Sequence, residues 1–185
     1  MSKVESISAE TIHNLLAAYI GERNASGRYT AFAVQADKEG YHGVASLFRA
    51  IAHSEQVHAT NHARVLLKFG AELDLNVEPF QVRSTIENLR AALRGEVNAR
   101  DQMYPQYMEQ ARNDQCDEAV EVFDSASDGE SVHAMMLVTA LEGLEDYRER
   151  STYFVCTACG WVCTGVNFKR CVLCNSNKDR FEQIE

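Results

Sequence analysis

Two copies of a short phrase place a glutamate and a histidine three residues apart. Residues 55–59 read Glu-Gln-Val-His-Ala and residues 130–134 read Glu-Ser-Val-His-Ala. On a helix, positions i and i+3 lie on the same face, so each copy directs a carboxylate and an imidazole toward one place. A single copy is weak evidence, because glutamate and histidine meet often by chance. The repetition indicates two equivalent metal-binding helices.

Each copy is preceded by another glutamate at a matching distance. Glu22 lies 33 residues before Glu55, and Glu96 lies 34 residues before Glu130. With His58 and His133 this makes four carboxylates and two imidazoles, the ligand set of a carboxylate-bridged di-iron centre in a four-helix bundle. Carboxylates suit two neighbouring hard cations because each of their oxygens can bind a different ion, and imidazoles complete the set.

The alternative is that these glutamates lie on solvated helix faces. Glu55 follows Leu47, Phe48 and Ile51 by eight, seven and four residues, which places it on the apolar face of its helix. Buried carboxylates are rare unless their charge is compensated. The register therefore favours the metal site.

Other side chains near these positions carry less information. Tyr29 and Tyr104 follow Glu22 and Glu96 by seven and eight residues, so each could donate a hydrogen bond to a ligand carboxylate or simply pack in the core. His62 lies one turn beyond His58 and could support a metal ligand, but we expect a surface or packing role for it. The same holds for the histidines without a repeated partner: His13, His42 and His53.

The apolar periodicity predicts four long helices, over residues 8–38, 42–69, 84–112 and 117–148. The third should be interrupted near Pro105, because proline lacks the N–H of a helical hydrogen bond. Residues 70–80 lose the helical period and form a long connection between the second and third helices. That arrangement is ferritin-like. The halves also repeat at an offset of 74 or 75 residues, as Tyr29 and Tyr104 illustrate.

The composition changes at about residue 150, which predicts an all-α bundle over residues 1–149 and a small domain over residues 150–185. The small domain contains two Cys-x-x-Cys knuckles, formed by Cys156 with Cys159 and Cys171 with Cys174. Four thiolates in this pattern predict a tetrahedral site for iron or zinc. A segment this short needs the metal for much of its folding free energy. The two remaining cysteines are expected to be bystanders: Cys116 and Cys163.

Composition excludes several classes of function. A net charge of −9 argues against nucleic acid as a partner. The sequence contains no stretch of about 18 uninterrupted apolar residues, so we expect no membrane span. The N-terminus lacks the pattern of a signal peptide. Clustered cysteines favour a metal site in a reducing compartment over a disulfide framework. We therefore expect a cytoplasmic protein.

The chain resembles the rubrerythrins along nearly its whole length. The resemblance is carried by residues 21–30, residues 38–41, the two Glu-x-Val-His-Ala phrases, Gly95-Glu96 with Met-Tyr-Pro at 103–105, and the cysteine-rich tail. It implies a ferritin-like bundle with a rubredoxin-like domain, and a non-haem di-iron peroxidase that reduces hydrogen peroxide to water. It also implies a rubredoxin-type iron in the tail, with rubredoxin or an NAD(P)H-dependent reductase as electron donor.

Roles for individual residues follow from the same resemblance. Glu55 and Glu130 would bridge two irons. Glu22 with His58 would serve one iron, and Glu96 with His133 the other. Tyr29 and Tyr104 match tyrosines that hydrogen-bond to ligand carboxylates. A homodimer is also implied, in which the tail iron of one subunit approaches the di-iron site of its partner.

The sequence departs from the family pattern at a few positions. Rubrerythrins usually carry a further glutamate where this chain has Ala99, so we expect His58 to stay bound in both redox states or water to fill the gap. Thr157 and Val172 replace the prolines that usually follow the first cysteine of each knuckle. The identity of the tail metal, iron or zinc, therefore stays open. Three alternative functions therefore remain. One is a ferroxidase, iron-handling or O2-reducing protein, and another is a non-catalytic interaction module with structural zinc. The third is oxygenation of an organic substrate, for which the sequence indicates no separate pocket.

Overall fold

The computed structural model of the protein describes residues 7–73 and 77–185. It contains five α-helices and three short strands, namely α1 (Ala9–Lys38), α2 (His42–Lys68), α3 (Thr85–Asn98), α4 (Tyr104–Asn113), α5 (Asp117–Glu142), β1 (Tyr153–Cys156), β2 (Val162–Cys163) and β3 (Phe181–Ile184). The predicted absence of a signal peptide concerns residues outside the described ranges, and so does part of the predicted connection, residues 74–76. None of the described helices is long and apolar enough to cross a membrane.

The first two helices form an antiparallel pair, and their bounds agree with the prediction. Ser8 caps α1, where its hydroxyl accepts a hydrogen bond from the backbone N–H of Thr11 at 3.2 Å. At the other end, Gly40 takes a left-handed φ of 77°, which allows the sharp reversal into α2. The apolar faces of α1 and α2 pack together around Phe32, Phe48 and Leu47.

The connection between α2 and α3 runs back along α1. The N–H of Glu78 donates to Asn24 in the middle of α1 at 3.1 Å. The N–H of Thr85 then donates to Glu39, just beyond the end of α1, at 2.9 Å. Helix α3 therefore begins at the same end of the bundle as α2 and runs parallel to it. This long crossover confirms the predicted ferritin-like arrangement.

The third bundle helix is interrupted, but the interruption begins earlier than Pro105. A turn of π-helix spans Ala99–Met103 and separates α3 from α4. The N–H of Tyr104 bonds to the carbonyl of Ala99 across this wider turn. Pro105 then occupies the first turn of α4, where its missing N–H leaves no intrahelical bond unmade. Such π turns occur frequently at functional sites.

The fourth bundle helix is shorter than predicted. It was expected to continue to about Arg148, whereas α5 ends at Glu142 and a 3-10 turn follows over Leu144–Tyr147. Gly143 leaves the helical conformation at φ −120° and ψ 44°, because glycine disfavours the helix by about 1 kcal/mol relative to alanine. Arg148 lies over the ring of Tyr41, 3.9 Å from its centroid, and does not extend the helix.

The tail forms a three-stranded antiparallel sheet with β1 in the middle and β2 and β3 at its sides. Three of its apolar residues join the buried core of the bundle: Tyr153, Val155 and Val162. Trp161, Phe168 and Phe181 pack on each other beside the cysteines, with ring centroids 5.1–5.8 Å apart. The tail therefore packs directly on the bundle. The domain boundary at residues 149–150 stays a prediction.

Candidate metal centres

Every long helix of the bundle contributes to one buried cluster of titratable side chains. Helix α1 supplies one glutamate, α3 supplies another, and α2 and α5 each supply a Glu-x-x-His pair. None of the six side chains belongs to a residue more than 5% exposed: Glu22, Glu55, His58, Glu96, Glu130 and His133. The helical register thus places all six predicted residues inside the bundle.

The cluster consists of two overlapping groups of possible metal ligands, in each of which the ligand atoms lie within 4.8 Å of one another. Glu55 and Glu130 belong to both groups. The first group adds Glu22 and His58, and the second adds Glu96 and His133. A bridged pair of metal ions requires this geometry, in which two carboxylates are shared and each ion has one glutamate and one histidine of its own.

His58 faces the first group through Nδ1. This atom lies 3.0 Å from Glu55 Oε2, 3.6 Å from Glu130 Oε1 and 3.9 Å from Glu22 Oε1. Its other nitrogen, Nε2, has no hydrogen-bond partner within the described ranges. The reason is steric, because the ring lies against the backbone of Gly129 and Gly160. A Cβ at either glycine would overlap the ring.

His133 faces the second group in the same way. Its Nδ1 lies 3.1 Å from Glu130 Oε2, 3.2 Å from Glu96 Oε2 and 3.4 Å from Glu55 Oε1. Its Nε2 lies 3.0 Å from the hydroxyl oxygen of Ser54. An Nε2–H that donates to this oxygen leaves the Nδ1 lone pair free for a metal. The two repeated histidines therefore differ in what surrounds them.

Two tyrosines donate hydrogen bonds to the outer glutamates, Glu22 and Glu96, which each belong to one ligand group only. Each bond joins a tyrosine of one sequence half to a glutamate of the other half. The hydroxyl of Tyr29 donates to Glu96, and the hydroxyl of Tyr104 donates to Glu22. His62 is fully buried, and its Nε2 lies 3.3 Å from the Tyr104 hydroxyl. The expected surface or packing role of His62 therefore omitted this polar contact. The spacing of one turn beyond His58 was the signal that pointed to it.

The cluster carries more negative charge than its own partners neutralise. Burial, followed by the charges of Glu55 and Glu130, raises the pKa of Glu22 well above its usual range. Burial and Glu130 raise the pKa of Glu96 to about 8. Burial disfavours a charged imidazole, yet hydrogen bonds to Glu130 and Glu55 raise the pKa of His58 to about 9. Without metal, protons must therefore compensate the buried carboxylates.

These observations test whether metal ions fit the site. Among the described residues, the four carboxylates contact histidines and tyrosines, and Glu96 and Glu130 also share a hydrogen bond, but no lysine or arginine is ion-paired to them. Two divalent cations would replace the compensating protons, and oxygen with imidazole ligands suits iron. The donor set and its burial therefore fit a pair of iron ions.

A cavity of about 190 Å³ opens beside the carboxylates. All four glutamates line it, whereas neither histidine does. Ala99 and Met103, at the two ends of the π turn, line it together with the half-buried Arg28. A water molecule takes up about 30 Å³ in the liquid, so the cavity admits a molecule as small as a peroxide or dioxygen.

The four predicted knuckle cysteines form a second group of possible metal ligands. The sulphur of Cys156 lies 3.7 Å from that of Cys174, and the sulphur of Cys159 lies 3.6 Å from that of Cys171. With metal–sulphur bonds of about 2.3 Å, tetrahedral geometry requires sulphurs roughly 3.8 Å apart. The arrangement therefore fits one iron or zinc ion. The fifth tail cysteine, Cys163, lies outside the group.

The two candidate sites are linked by side chains of α2 that the sequence did not single out. The hydroxyl of Ser54 donates to the carbonyl of Gly160 at 2.5 Å. The amide of Asn61 donates to the carbonyl of Ala158 at 2.9 Å. Both acceptors belong to the loop around Cys159. Ser54 and Asn61 are seven residues apart and so lie on one helix face, but only the fold reveals that the tail covers this face.

Comparison with known proteins agrees with this geometry. The family model described as Rubrerythrin matches residues 13–141. The chain belongs to the rubrerythrin family. Rubrerythrin-2 of Clostridium acetobutylicum is 32% identical over 178 residues, which cover 95% of this chain and 97% of that protein. Nigerythrin of Nitratidesulfovibrio vulgaris is 34% identical over 173 residues, which cover 92% of this chain and 85% of nigerythrin.

Solved structures support the same family and fold. A structure of nigerythrin in its fully reduced, all-ferrous state matches with a TM-score of 0.87 at 29% identity, covering 99% of this chain and 91% of that one. A bacterioferritin from Rhodobacter capsulatus matches with a TM-score of 0.69 at 23% identity, covering 75% of this chain and 87% of that one, and this match shows the fold alone. Members of the rubrerythrin family are oxidoreductases with a ferritin-like di-iron bundle, which is consistent with iron in this chain.

Proposed function

We propose that this protein is a non-haem di-iron peroxidase that protects against oxidative stress. The reaction is H2O2 + 2e⁻ + 2H⁺ → 2H2O. A protein donor supplies the electrons one at a time through the tetrathiolate site of the tail, so each peroxide requires two deliveries. Family membership supports an oxidoreductase, and the arrangement of this chain's residues supports the peroxidase reaction.

The observation that carries the proposal is the contact between the two candidate metal sites. The loop around Cys159 packs on α2, where Gly160 lies against His58. A centre that keeps its iron and is reduced again after each turnover needs such a source of single electrons. A ferroxidase that releases its product does not.

The side chains of the cluster would divide the binding of two irons between them. Glu55 and Glu130 would bridge the ions, and each ion would take one private glutamate and one histidine through Nδ1. Iron held there would supply two electrons to the peroxide. The tyrosine hydroxyls of Tyr29 and Tyr104 orient the outer glutamates, because each donates to one of their oxygens.

The cavity provides the route by which peroxide would reach the carboxylates. Residues of the π turn, Ala99 and Met103, form part of its lining. Its volume is about 190 Å³, and the four candidate ligand glutamates form part of its lining. The size of the cavity therefore favours a small oxidant.

The second knuckle offers a place for the electron donor. Cys174 is the exposed member of the four cysteines, and its neighbours Val172 and Leu173 are 65% and 36% exposed. Four exposed basic residues flank this knuckle: Lys169, Arg170, Lys178 and Arg180. On a chain with net charge −9 this basic rim favours an acidic partner. Rubredoxin or an NAD(P)H-dependent reductase with an acidic docking face would fit.

We further propose a homodimer in the cytoplasm. Met135 and Val138, three residues apart on α5, are 61% and 38% exposed and present an apolar surface that a second copy could cover. Light scattering coupled to size exclusion would give the mass, and a monomer at micromolar concentration would contradict this part of the proposal.

The test follows the tail iron by its visible ferric-thiolate band. Anaerobic, fully reduced protein receives one equivalent of H2O2, and iron and zinc are quantified in the same sample. Two electrons leave for the peroxide, and the tail then replaces one, so the ferric band should appear. Glu55→Gln should slow its appearance, whereas Glu121→Gln, an exposed glutamate on α5, should behave as the wild type.

Other outcomes would favour the alternatives. If O2 produces the band as fast as peroxide does, a ferroxidase or O2-reducing function gains support. One observation already favours it, because Ala99 offers no carboxylate beside the cavity and so leaves a metal coordination position open. Turnover of added Fe²⁺ by a tail-inactivated variant would support it further. A tail that contains zinc and gives no band would support the interaction module.

A further inference from the structure

One buried hydroxyl group lies between the metal-site cluster of the bundle and the cysteine loop of the tail. Ser54 is fully buried on α2, next to the candidate bridging residue Glu55. Its oxygen lies 3.0 Å from Nε2 of His133 and 2.5 Å from the carbonyl oxygen of Gly160. A hydroxyl has one proton to donate and lone pairs with which to accept. Since the carbonyl can only accept, the roles are determined: Ser54 donates to Gly160 and accepts from His133.

We propose that Ser54 is a positioning residue that couples the metal site of the bundle to the cysteine loop packed on it. The bonded route runs from Cys159 to the carbonyl of Gly160, across the Ser54 hydroxyl, and into the ring of His133. It rests on the proposed function in one respect, namely that electrons cross between the sites. One electron leaves the tail site and enters the bundle site at each crossing, and the donor protein then reduces the tail again.

The route selects one histidine of the repeated pair. His58 is also in contact with Gly160, but its Nε2 makes no hydrogen bond to any described residue. His133 has a hydrogen-bonded link, whereas His58 has only van der Waals contact. We therefore infer that the second ligand group, which contains His133 and Glu96, is the one coupled to the tail.

Ser54 also fixes the state of His133 as a ligand. The bond requires a proton on Nε2, so a metal ion would be bound through Nδ1, which lies 3.2 Å from Glu96 and 3.1 Å from Glu130. Partners of this kind orient a metal-binding histidine and raise its basicity. The same hydroxyl thus orients His133 as a ligand and binds the loop around Cys159.

The chain offers two matched controls on the same helix. Asn61 donates to the carbonyl of Ala158 at 2.9 Å, so it holds the same loop without touching a metal-site histidine. Ser46 is a fully buried serine whose oxygen accepts from the N–H of Ser151 at 3.3 Å, at the start of the tail. Asn61→Ala therefore controls for loosening of the loop, and Ser46→Ala controls for loss of a buried hydroxyl.

The first measurement does not depend on catalysis. In the zinc-loaded, diamagnetic protein, ¹⁵N NMR should detect an Nε2-bound proton on His133 that exchanges slowly with solvent. Ser54→Ala should abolish its protection, while Asn61→Ala and Ser46→Ala should retain it. Alanine suits a buried helical position, so the variant is expected to fold. Unchanged protection in Ser54→Ala would overturn the proposal.

The second measurement is the rate of electron transfer between the sites after one equivalent of H2O2. Ser54→Ala should slow it on the order of 10- to 100-fold, the usual effect of removing the partner of a metal-bound histidine. An equal loss in Asn61→Ala would refute the specific route, because loosening of the loop would then explain both. If the proton is protected by Ser54 but no variant reacts with peroxide, the positioning role stands and the peroxidase function fails.

Discussion

The glycine at position 129 is predicted to be required by the His58 ring that lies against it. Gly129 is in the interior of α5, and a Cβ built there would come within 2.6 Å of His58 Cε1 and 2.7 Å of Nε2. Carbon contacts are optimal at about 3.5–4.0 Å, so in Gly129→Ala the ring must retreat by roughly 1 Å. Gly160 approaches the same edge, and Nδ1 on the opposite side of the ring faces the carboxylates, so a retreat from the glycines disturbs the ligand group.

Two effects of opposite sign determine how Gly129→Ala changes the free energy of unfolding. Alanine in place of glycine within a helix stabilises by about 0.5–1 kcal/mol, and an overpacked core costs about 1–3 kcal/mol. Gly27→Ala in α1 is the matched control, because a Cβ there meets nothing within 4 Å. We expect Gly27→Ala to be stabilised and Gly129→Ala to fall below it by about 1–3 kcal/mol in urea unfolding of the metal-free protein.

The same displacement should weaken metal binding at one position of the pair. A loss of about 1–3 kcal/mol corresponds to roughly 5- to 150-fold in affinity, and it should fall on the group that contains His58 and Glu22. An anaerobic Co²⁺ titration should resolve one tight and one weakened equivalent in Gly129→Ala. Stabilisation equal to that of Gly27→Ala, or two unchanged Co²⁺ equivalents, would refute the reasoning.

Three further predictions concern hydrogen bonds and the tail. Tyr104→Phe removes the hydrogen bond to a metal-site glutamate and should lower Co²⁺ affinity about tenfold; an unchanged titration would contradict this. Hydrogen bonding by Ser8 holds the pKa of Asp114 below its usual range, so the bond stabilises above about pH 4 and is lost as the carboxylate protonates at lower pH. Asp114→Asn should therefore cost about 1 kcal/mol in unfolding at pH 7 and progressively less as the pH falls below about 4, and a pH-independent difference would rule this out. Cys159→Ser should lose the tail metal by elemental analysis, whereas Cys163→Ser should retain it, since only the former belongs to the four-cysteine group.

The sequence predicted most of what lies inside the bundle. Burial follows from helical register, and register can be read from spacing, so the six clustered residues and the long crossover were accessible before the structure. The two knuckles were equally accessible, because four cysteines at that spacing have few other arrangements. Their roles as iron ligands stay a prediction.

What the sequence did not predict depends on contacts between elements. The π turn begins at Ala99, six residues before the proline expected to cause the interruption, because the wider turn relieves the helix before Pro105 is reached. Helix α5 ends before Gly143, whereas the apolar periodicity continues past this glycine and so predicted a longer helix. Ser54 carries no motif, and its importance arises only because the tail covers that face of α2.

The repeated sequence would give two equivalent metal positions, and the fold makes them different through what packs outside. The outer edge of His58 lies against Gly160 of the tail, whereas that of His133 meets Ser54 of α2, which in turn bonds to Gly160. The cavity beside Ala99 reaches the four carboxylates and neither histidine. Under the proposed function, electrons and oxidant would therefore approach the centre along separate routes, so that peroxide in the cavity does not contact the thiolates of the tail.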